Sequence, residues 1–333
     1  MRFEGRTSVH AYGGGFSVFH SVGPLKYLHK KCSNIEVMEG VSAGALLLAI
    51  DISHDFDIDK LINVGLEIEK MGPQSIFRSS NWKNVPHYTG PNLYDNEGIK
   101  ELISRYVNAK KIIDWKGKYI AVTHNESLGI NVPFSNKDEG MTPERLNLGI
   151  LASASLGMLL PEVEIDGEFY SDGLTCSIAN SIENKMDNIF LLINHRLDGS
   201  DLLLRKKFWQ KKQIATMRRS VRQSIVKDIK HAINSGYQLI EENPSRHFED
   251  MEVNKKSVIK NVLGDAIDAI NPLNPESITE RMIIKRKTIV FTPFNPVATL
   301  DTAEFNLGDI KTAMERRETE VERFAKERLE KEL

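Results

Sequence analysis

Apolar positions in the first 195 residues follow two patterns, short strand-like runs and longer stretches with helical spacing. The strand patterns cover residues 7–12, 34–41, 119–123, 129–134 and 189–193. The helical patterns begin near His20 and then cover residues 43–50, 58–71, 97–107 and 144–151. Strands that alternate with helices of this length are typical of a mostly parallel sheet covered by helices. We therefore predict an α/β fold.

Local signals refine this outline. Pro24 cannot occupy an interior helical turn without breaking it, so the first regular helix is predicted to begin near His20. An Asp-Gly step within residues 165–169 predicts a β-hairpin. Farther along, the pattern predicts helix over residues 201–270, a strand at 288–291 and a charged helix at 309–329. No internal repeat or linker composition marks a domain boundary.

The composition excludes several classes of protein. Of the 333 residues, 41% are hydrophobic and 27% are charged, values that rule out a disordered or collagen-like chain. The net charge is -2, so overall charge favours neither nucleic acid nor an acidic substrate as a partner. Cys32 and Cys176 are far apart and lack metal-ligand spacing, which argues against a zinc site or a disulfide framework.

The chain shows no targeting or membrane-spanning pattern. Residues 1–6 carry charge where a signal peptide needs an apolar run. The longest apolar run, residues 43–50, is much shorter than the roughly 18 residues of a membrane span. We expect a cytoplasmic protein that meets membranes only peripherally.

The segment Gly40-Val41-Ser42-Ala43-Gly44 matches the G-x-S-x-G nucleophile elbow. Such an elbow needs a sharp turn from a strand to a helix, with glycines at Gly40 and Gly44 that allow neighbouring backbones to approach. The predicted strand before Ser42 and the predicted helix after it supply that context. The alternative is a glycine-rich turn in which Ser42 only caps the helix.

Two further glycine-containing motifs are candidates for chemistry. Gly13-Gly14-Gly15 follows a predicted strand and fits an oxyanion hole, in which successive amides point at one oxygen, or a plain flexible turn. The complete nucleotide-binding glycine motifs are missing from the sequence. Asp172-Gly173 is a second Asp-Gly step, which by itself indicates a tight turn.

Together with the small-residue run 152–155 and the break at Leu160-Pro161, these motifs resemble the patatin-like phospholipase family. The resemblance implies a three-layer α/β/α fold with a central, mostly parallel sheet and an added helical C-terminal part. It also implies one domain over residues 1–325. The parts of that domain are a catalytic core at 7–200, a helical part at 201–284 and a closing strand and helix at 285–325, followed by a charged tail at 326–333.

The resemblance also assigns roles. Ser42 is implied to be the nucleophile, Asp172 its base, and the backbone amides of Gly13, Gly14 and Gly15 the oxyanion hole, with Gly173 completing the Asp-Gly motif. A Ser-Asp dyad of this kind needs no metal and no organic cofactor. The implied activity is hydrolysis of the acyl esters of phospholipids or related lipids. To act as a base, Asp172 should lie in a mostly apolar cleft that raises its pKa.

The sequence departs from the family pattern at four positions. Ser17 and Val18 stand where the glycine loop usually continues with Arg-Gly, Leu156 replaces a proline, and Leu174 replaces a glycine or alanine. These departures leave an alternative open, a catalytically weakened relative that binds lipid or a partner. A second alternative is a Ser-His-Asp triad, whose histidine would be one of His195, His231 and His247.

A basic segment offers a surface for lipid. Residues 205–230 contain ten basic residues and one acidic residue, with an apolar stripe at helical spacing on one side. The ordinary interpretation is a helix packed on the domain with a solvated basic face. The functional one is contact with an anionic membrane, while nucleic acid is not an expected partner because few aromatic residues accompany the charges. The candidate membrane-contact residues are Lys211, Lys212, Arg218 and Arg219.

Overall fold

The computed structural model describes residues 2–78, 94–157, 159–194, 209–242, 286–292 and 306–329. The strands are β1 (Thr7–Ala11), β2 (Ile35–Val41), β3 (Lys118–Asn125), β4 (Ile130–Ser135), β5 (Val163–Ile165), β6 (Glu168–Asp172), β7 (Asn188–Leu192), β8 (Gln238–Glu241) and β9 (Lys287–Phe291). The helices are α1 (Val22–Lys31), α2 (Ala43–Ser53), α3 (Ile58–Met71), α4 (Pro73–Ile76), α5 (Glu97–Tyr106), α6 (Ala109–Asp114), α7 (Pro143–Ser153), α8 (Ala179–Glu183), α9 (Trp209–Asn234) and α10 (Asp309–Phe324).

The nine strands form one sheet. Its order is β5-β6-β3-β2-β1-β7-β9-β8, and β4 pairs with β3 outside this path. The pairs from β3 through β2, β1, β7 and β9 to β8 are parallel, whereas β4, β5 and β6 pair antiparallel. The central strands are buried on both faces, as strands are when helices cover both sides of a sheet.

Two hydrophobic cores lie on opposite faces of this sheet. Along β7, Phe190 packs in the core formed with α1, α2, α3, α5, α7 and α10, while Leu191 packs in the core formed with α9. This alternation follows from side chains that point to opposite faces at successive strand positions. Helices therefore flank the sheet on both sides, which confirms the predicted three-layer α/β/α fold with a mostly parallel sheet.

The predicted strands and long helices agree with the structure to within a few residues, and the Asp166-Gly167 turn joins β5 to β6. The first regular helix begins slightly later than predicted. Residues Gly15–Ser21 form a 3₁₀ helix, and α1 begins at Val22, so that Pro24 lies in its first turn, where its missing amide costs no hydrogen bond.

The prediction of helix throughout 201–270 is wrong at β8. Gln238–Glu241 is a strand of four residues at the edge of the sheet, and so short a run carries no readable period of its own. Before it, α9 is helical as predicted, and Ile225, Ile229 and Ile233 of the apolar stripe are buried against the sheet. Residues 243–285 lie outside the described residues. No helix within the described ranges is long and apolar enough to cross a bilayer.

Candidate active site

Ser42 lies in a sharp turn between β2 and α2. Its backbone has φ 58° and ψ -138°, a conformation that costs energy for any residue other than glycine. The turn is possible because its neighbours lack side chains: a Cβ on Gly40 would lie 2.5 Å from the Ala45 backbone, and one on Gly44 would strike the Ala11 carbonyl. The residue that follows β2 is therefore held in the strained geometry of a nucleophile elbow.

The register of β3 brings Asp172 to Ser42. Lys118 to Val122 of β3 pair with β2, ending at Val41 opposite Val122. The next residue, Thr123, pairs with Asp172 at the end of β6. Residues 120–125 of β3 pair with β4 along one edge of the strand. Both β2 and β6 therefore pair with the opposite edge of β3, one after the other, and their ends meet there. Ser42 and Asp172 are thus the two residues at this junction.

The Ser42 side chain lies close enough to the Asp172 carboxylate to favour its charged form. Asp172 is 4% exposed, and burial raises its pKa from 3.8 to about 6. The Ser42 hydroxyl and the Leu174 amide, 2.8 Å from Oδ1, both favour the charged carboxylate and limit that rise. A buried carboxylate with this pKa is ionised near neutral pH and is a stronger base than an exposed aspartate.

The glycine loop lies against the serine. A Cβ on Gly13 would strike the Ser42 side chain, so a residue larger than glycine does not fit there. Gly14 has φ 134° and Gly15 has φ 58°, both unfavourable for other residues. Gly15 begins the 3₁₀ helix, and the first amides of a helix have no partner within it. The Gly15 amide therefore has no partner within this helix.

Asn194 and Ser21 form hydrogen bonds that support the glycine loop, and the sequence motifs predicted a role for neither residue. The Asn194 amide donates to the Tyr12 carbonyl at 2.5 Å and to the Gly13 carbonyl at 3.3 Å. Its oxygen accepts the Ser21 hydroxyl at 2.6 Å. Asn194 is buried two residues after the end of β7, and the polar residue that closes the apolar run 189–193 was the available signal.

Serines of the small-residue run position the dyad. The Ser153 hydroxyl donates to the Val122 carbonyl at 2.6 Å and accepts the Ser42 amide at 3.0 Å. The Ser155 carbonyl accepts the Asp172 amide at 2.9 Å. The sequence places the run 152–155 in a motif, but it does not predict these contacts, because they depend on how α7 packs on β3.

An apolar cavity of about 70 Å³ opens beside Ser42. Ala43 and Ala154 line its end nearest the elbow, and Gly15 of the glycine loop also contributes. Its deeper walls come from the 3₁₀ helix and from α2, α3 and α5, and include Phe19, Leu47, Val64, Phe77 and Leu102. Its volume is well below the roughly 300–1,000 Å³ of typical ligand pockets, so its apolar walls suit only a short apolar group.

The positions that depart from the family pattern have definite contacts. The Ser17 hydroxyl donates to the Gly14 carbonyl at 2.7 Å, so it fixes the loop instead of supplying a charge. Val18 is buried and lines the apolar cavity. Leu174 has φ 61°, which is strained for leucine, and is 40% exposed beside Asp172.

The histidine alternative finds no support in the described residues. His231 is exposed in the last turn of α9, which precedes β8 and so lies at the edge of the sheet opposite Ser42. His195 and His247 lie outside the described residues. A separate Ser181-His10-Glu39 set lies beneath α8 and α9, with 3.0 Å between Ser181 Oγ and His10 Nε2, but all three side chains are buried.

The predicted membrane-contact residues Lys211, Lys212, Arg218 and Arg219 all lie on the first half of α9. Since the last turn of α9 leads into β8, which is parallel to β9, this first half points toward the edge of the sheet that carries Ser42. Among the residues that the structure describes, no group of His, Cys, Asp or Glu side chains is arranged to hold a metal ion.

Sequence comparison decides the family. The profile of the patatin-like phospholipases matches residues 12–179, which include the glycine loop, the elbow and the Asp-Gly step. The chain belongs to the patatin-like phospholipase family. Patatin-like phospholipases are acyl hydrolases that act on lipids. No curated protein sequence matches the chain at a significant level.

Two solved structures are similar to this member of the family. VipD from Legionella pneumophila is 11% identical with a TM-score of 0.37, over 97% of this chain and 67% of that one. The type III effector protein ExoU is 12% identical with a TM-score of 0.29, over 84% of this chain and 62% of that one.

Proposed function

We propose that this protein cleaves acyl ester bonds of phospholipids by a Ser42-Asp172 dyad, through an acyl-serine intermediate. The observation that carries the proposal is the meeting of Ser42, in its strained turn, with the buried Asp172 carboxylate where β2 and β6 end on β3. A serine hydroxyl is a weak nucleophile until a base takes its proton, and Asp172 is the base within reach. The family supports the class of reaction.

In the first half of the reaction, Ser42 Oγ bonds to the ester carbonyl carbon while its proton passes to Asp172. The negative charge that develops on the carbonyl oxygen is stabilised by amides of the loop Gly13-Gly14-Gly15. Each such donor is typically worth about 2.7–4 kcal/mol of barrier. Cleavage of the ester bond then releases the lysophospholipid alkoxide, which takes the proton from Asp172.

In the second half, Asp172 accepts a proton from water as that water attacks the acyl carbon. The bond to Ser42 Oγ breaks, the free fatty acid leaves, and the proton returns to the serine. The acyl carbons nearest the ester lie against the apolar cavity next to Ala43, which has room for only a few of them. A phospholipase A type of specificity follows from acyl transfer to serine, because the bond cleaved is a carboxylic ester.

The basic first half of α9 brings the enzyme to anionic lipid. Lys211, Lys212, Arg218 and Arg219 each contribute about 1 kcal/mol when close to an anionic surface. Because this half of α9 points toward the edge that carries Ser42, adsorption through it brings the dyad toward the bilayer.

The test is fatty-acid release from mixed phospholipid vesicles, measured by mass spectrometry for wild type, Ser42→Ala and Asp172→Asn. Release by wild type that both substitutions abolish is the expected result. Labelling by a fluorophosphonate probe gives a second readout that does not depend on a lipid substrate. We expect the adduct on Ser42 in wild type and much slower labelling in Asp172→Asn.

Two results would overturn the proposal. One is fatty-acid release that persists in folded Ser42→Ala enzyme. The other is a wild-type protein that releases no fatty acid and leaves Ser42 unlabelled, which would favour a lipid- or partner-binding relative instead.

A further inference from the structure

Exposed apolar side chains gather at one edge of the sheet. The large hydrophobic residues exposed among the described residues are Leu128, Ile130, Leu148, Phe169, Leu174 and Leu307. Leu128 lies in the turn between β3 and β4, Ile130 begins β4 and Phe169 belongs to β6, and we call these three residues the apolar rim. Single exposed apolar residues are ordinary, but a group of them marks a contact surface.

Strand pairing brings the members of the apolar rim together. Ile130 pairs with Asn125 at the end of β3, and the Leu128 amide donates to the Asn125 side chain at 2.8 Å. On the other edge of β3, the Glu126 amide donates to the Phe169 carbonyl at 3.0 Å. Leu128, Ile130 and Phe169 therefore surround the same end of β3.

This end of β3 projects beyond the dyad. Thr123, which pairs with Asp172, is level with the dyad, and β3 continues to Asn125 before turning at Leu128. At about 3.3 Å per residue, the turn lies roughly 10 Å beyond Asp172. The turn between β5 and β6, at Asp166-Gly167, lies at the same edge. A flat surface in contact with these turns therefore lies beyond the same edge of the sheet as Ser42.

Leu174 adds an observation of a different kind. Its φ of 61° is strained for leucine, and its side chain is 40% exposed next to Asp172. Neither the strain nor the exposure stabilises the folded chain on its own. The strained backbone is held by the hydrogen bond from the Leu174 amide to Asp172 Oδ1, whereas the exposed side chain is open to an apolar partner outside the protein.

We infer that the apolar rim inserts into the surface of a lipid bilayer and orients the edge of the sheet that carries the dyad toward it. The inference rests on the proposed function, since a dyad that acts on lipid must meet the bilayer at its open edge. Glu126 and Glu168 flank the rim, so it gains nothing from anionic headgroups. Its contribution is therefore independent of surface charge, which separates it from the basic half of α9.

The test is vesicle flotation of the full chain, which reads binding whether or not the protein is active. The rim variants are Leu128→Glu and Phe169→Glu. Leu148→Glu is the matched control, since Leu148 is 37% exposed in the middle of α7. Lys211→Glu/Lys212→Glu tests the basic half of α9. Vesicles are pure phosphatidylcholine, or phosphatidylcholine with phosphatidylserine.

We expect each rim variant to bind both kinds of vesicle about 10-fold more weakly than wild type, as loss of one inserted apolar side chain implies. The Leu148→Glu control should bind like wild type. The Lys211→Glu/Lys212→Glu variant should lose binding only where phosphatidylserine is present. Hydrolysis of a water-soluble butyrate ester should be unchanged in the rim variants, because the dyad is not altered.

Three results would overturn the inference. The first is that the rim variants bind vesicles as strongly as wild type. The second is that wild type does not bind phosphatidylcholine vesicles. The third is that Leu148→Glu loses as much vesicle binding as the rim variants. If flotation behaves as expected but fatty acid is never released, the proposed function fails and the lipid-binding rim stands. Circular dichroism and thermal melts confirm that each variant is folded.

Discussion

The pKa of Asp172 makes ester cleavage sensitive to acid. Burial raises this pKa from 3.8 to about 6, and the base that accepts the Ser42 proton must be ionised. The perturbation to apply is therefore pH itself, between 5 and 9. The rate should fall on the acid side of neutrality, where an ordinary aspartate would still be fully active.

The expected size follows from the two pKa values. With a pKa of about 6, roughly a tenth of Asp172 is ionised at pH 5 and roughly nine tenths at pH 7. With the ordinary value of 3.8, about nine tenths would be ionised even at pH 5. We therefore expect kcat/KM at pH 5 to be about one tenth of its plateau above pH 7, with half the plateau near pH 6.

The assay is the initial rate of fatty-acid release from phosphatidylcholine vesicles, whose headgroup stays zwitterionic over this range. A water-soluble ester in the same buffers separates the titration of the dyad from changes in vesicle binding. Among the described residues, burial also raises the pKa of Glu39 to about 7, that of Asp228 to about 6, and that of Glu242, which is paired with Arg317. Glu39→Gln and Asp228→Asn are therefore the matched controls.

A flat rate profile from pH 5 to pH 9 would refute the reasoning, because Asp172 would then be either exposed or not the base. If the acid limb disappears in Glu39→Gln or Asp228→Asn, the titrating group is that carboxyl group and not Asp172. An acid limb that survives both substitutions assigns it to the dyad.

Three further predictions test the supports of the site. Asn194→Ala should lower kcat about 10- to 100-fold with little change in KM, because the glycine loop loses its hydrogen-bonded anchor. Glu39→Gln should be more stable than wild type above pH 7 by up to about 3 kcal/mol, and urea unfolding at several pH values measures this. Arg317→Met should destabilise the protein by about 3–5 kcal/mol in urea unfolding, because it leaves the buried Glu242 carboxylate unpaired.

Each of these has a control and a contradicting result. Asn136, also buried and bonded to backbone carbonyls, is the control for Asn194, and Asn136→Ala should lose stability but not kcat. The folded-state pKa of Glu39 is raised, so its stabilisation is complete below about pH 4.5 and is lost as the pH rises through 7. An advantage of Glu39→Gln that does not grow with pH would contradict this. Adding Glu242→Gln should restore much of the stability lost in Arg317→Met.

The sequence predicted the fold, and it placed Ser42 and Asp172 as candidate site residues, because both the fold and these motifs leave local signals. The alternation of strands and helices predicted the three layers, and the glycines around Ser42 predicted the elbow. Asn194 was missed because its role depends on β1 and β7 being neighbours, which a local pattern does not contain. The end-to-end meeting of β2 and β6 on β3 depends on register, which sequence periodicity leaves open.

The supports of the glycine loop also decide where the catalytic unit can be cut. The family match ends at residue 179, whereas Asn194 anchors the loop from beyond that limit. Arg317 of α10 donates to the His20 carbonyl at 3.2 Å, at the end of the 3₁₀ helix that the loop begins. A fragment cut to residues 12–179 keeps Ser42 and Asp172 but loses the hydrogen bonds that Asn194 and Arg317 supply. Any transplant or fusion of this hydrolase therefore needs the chain through α10.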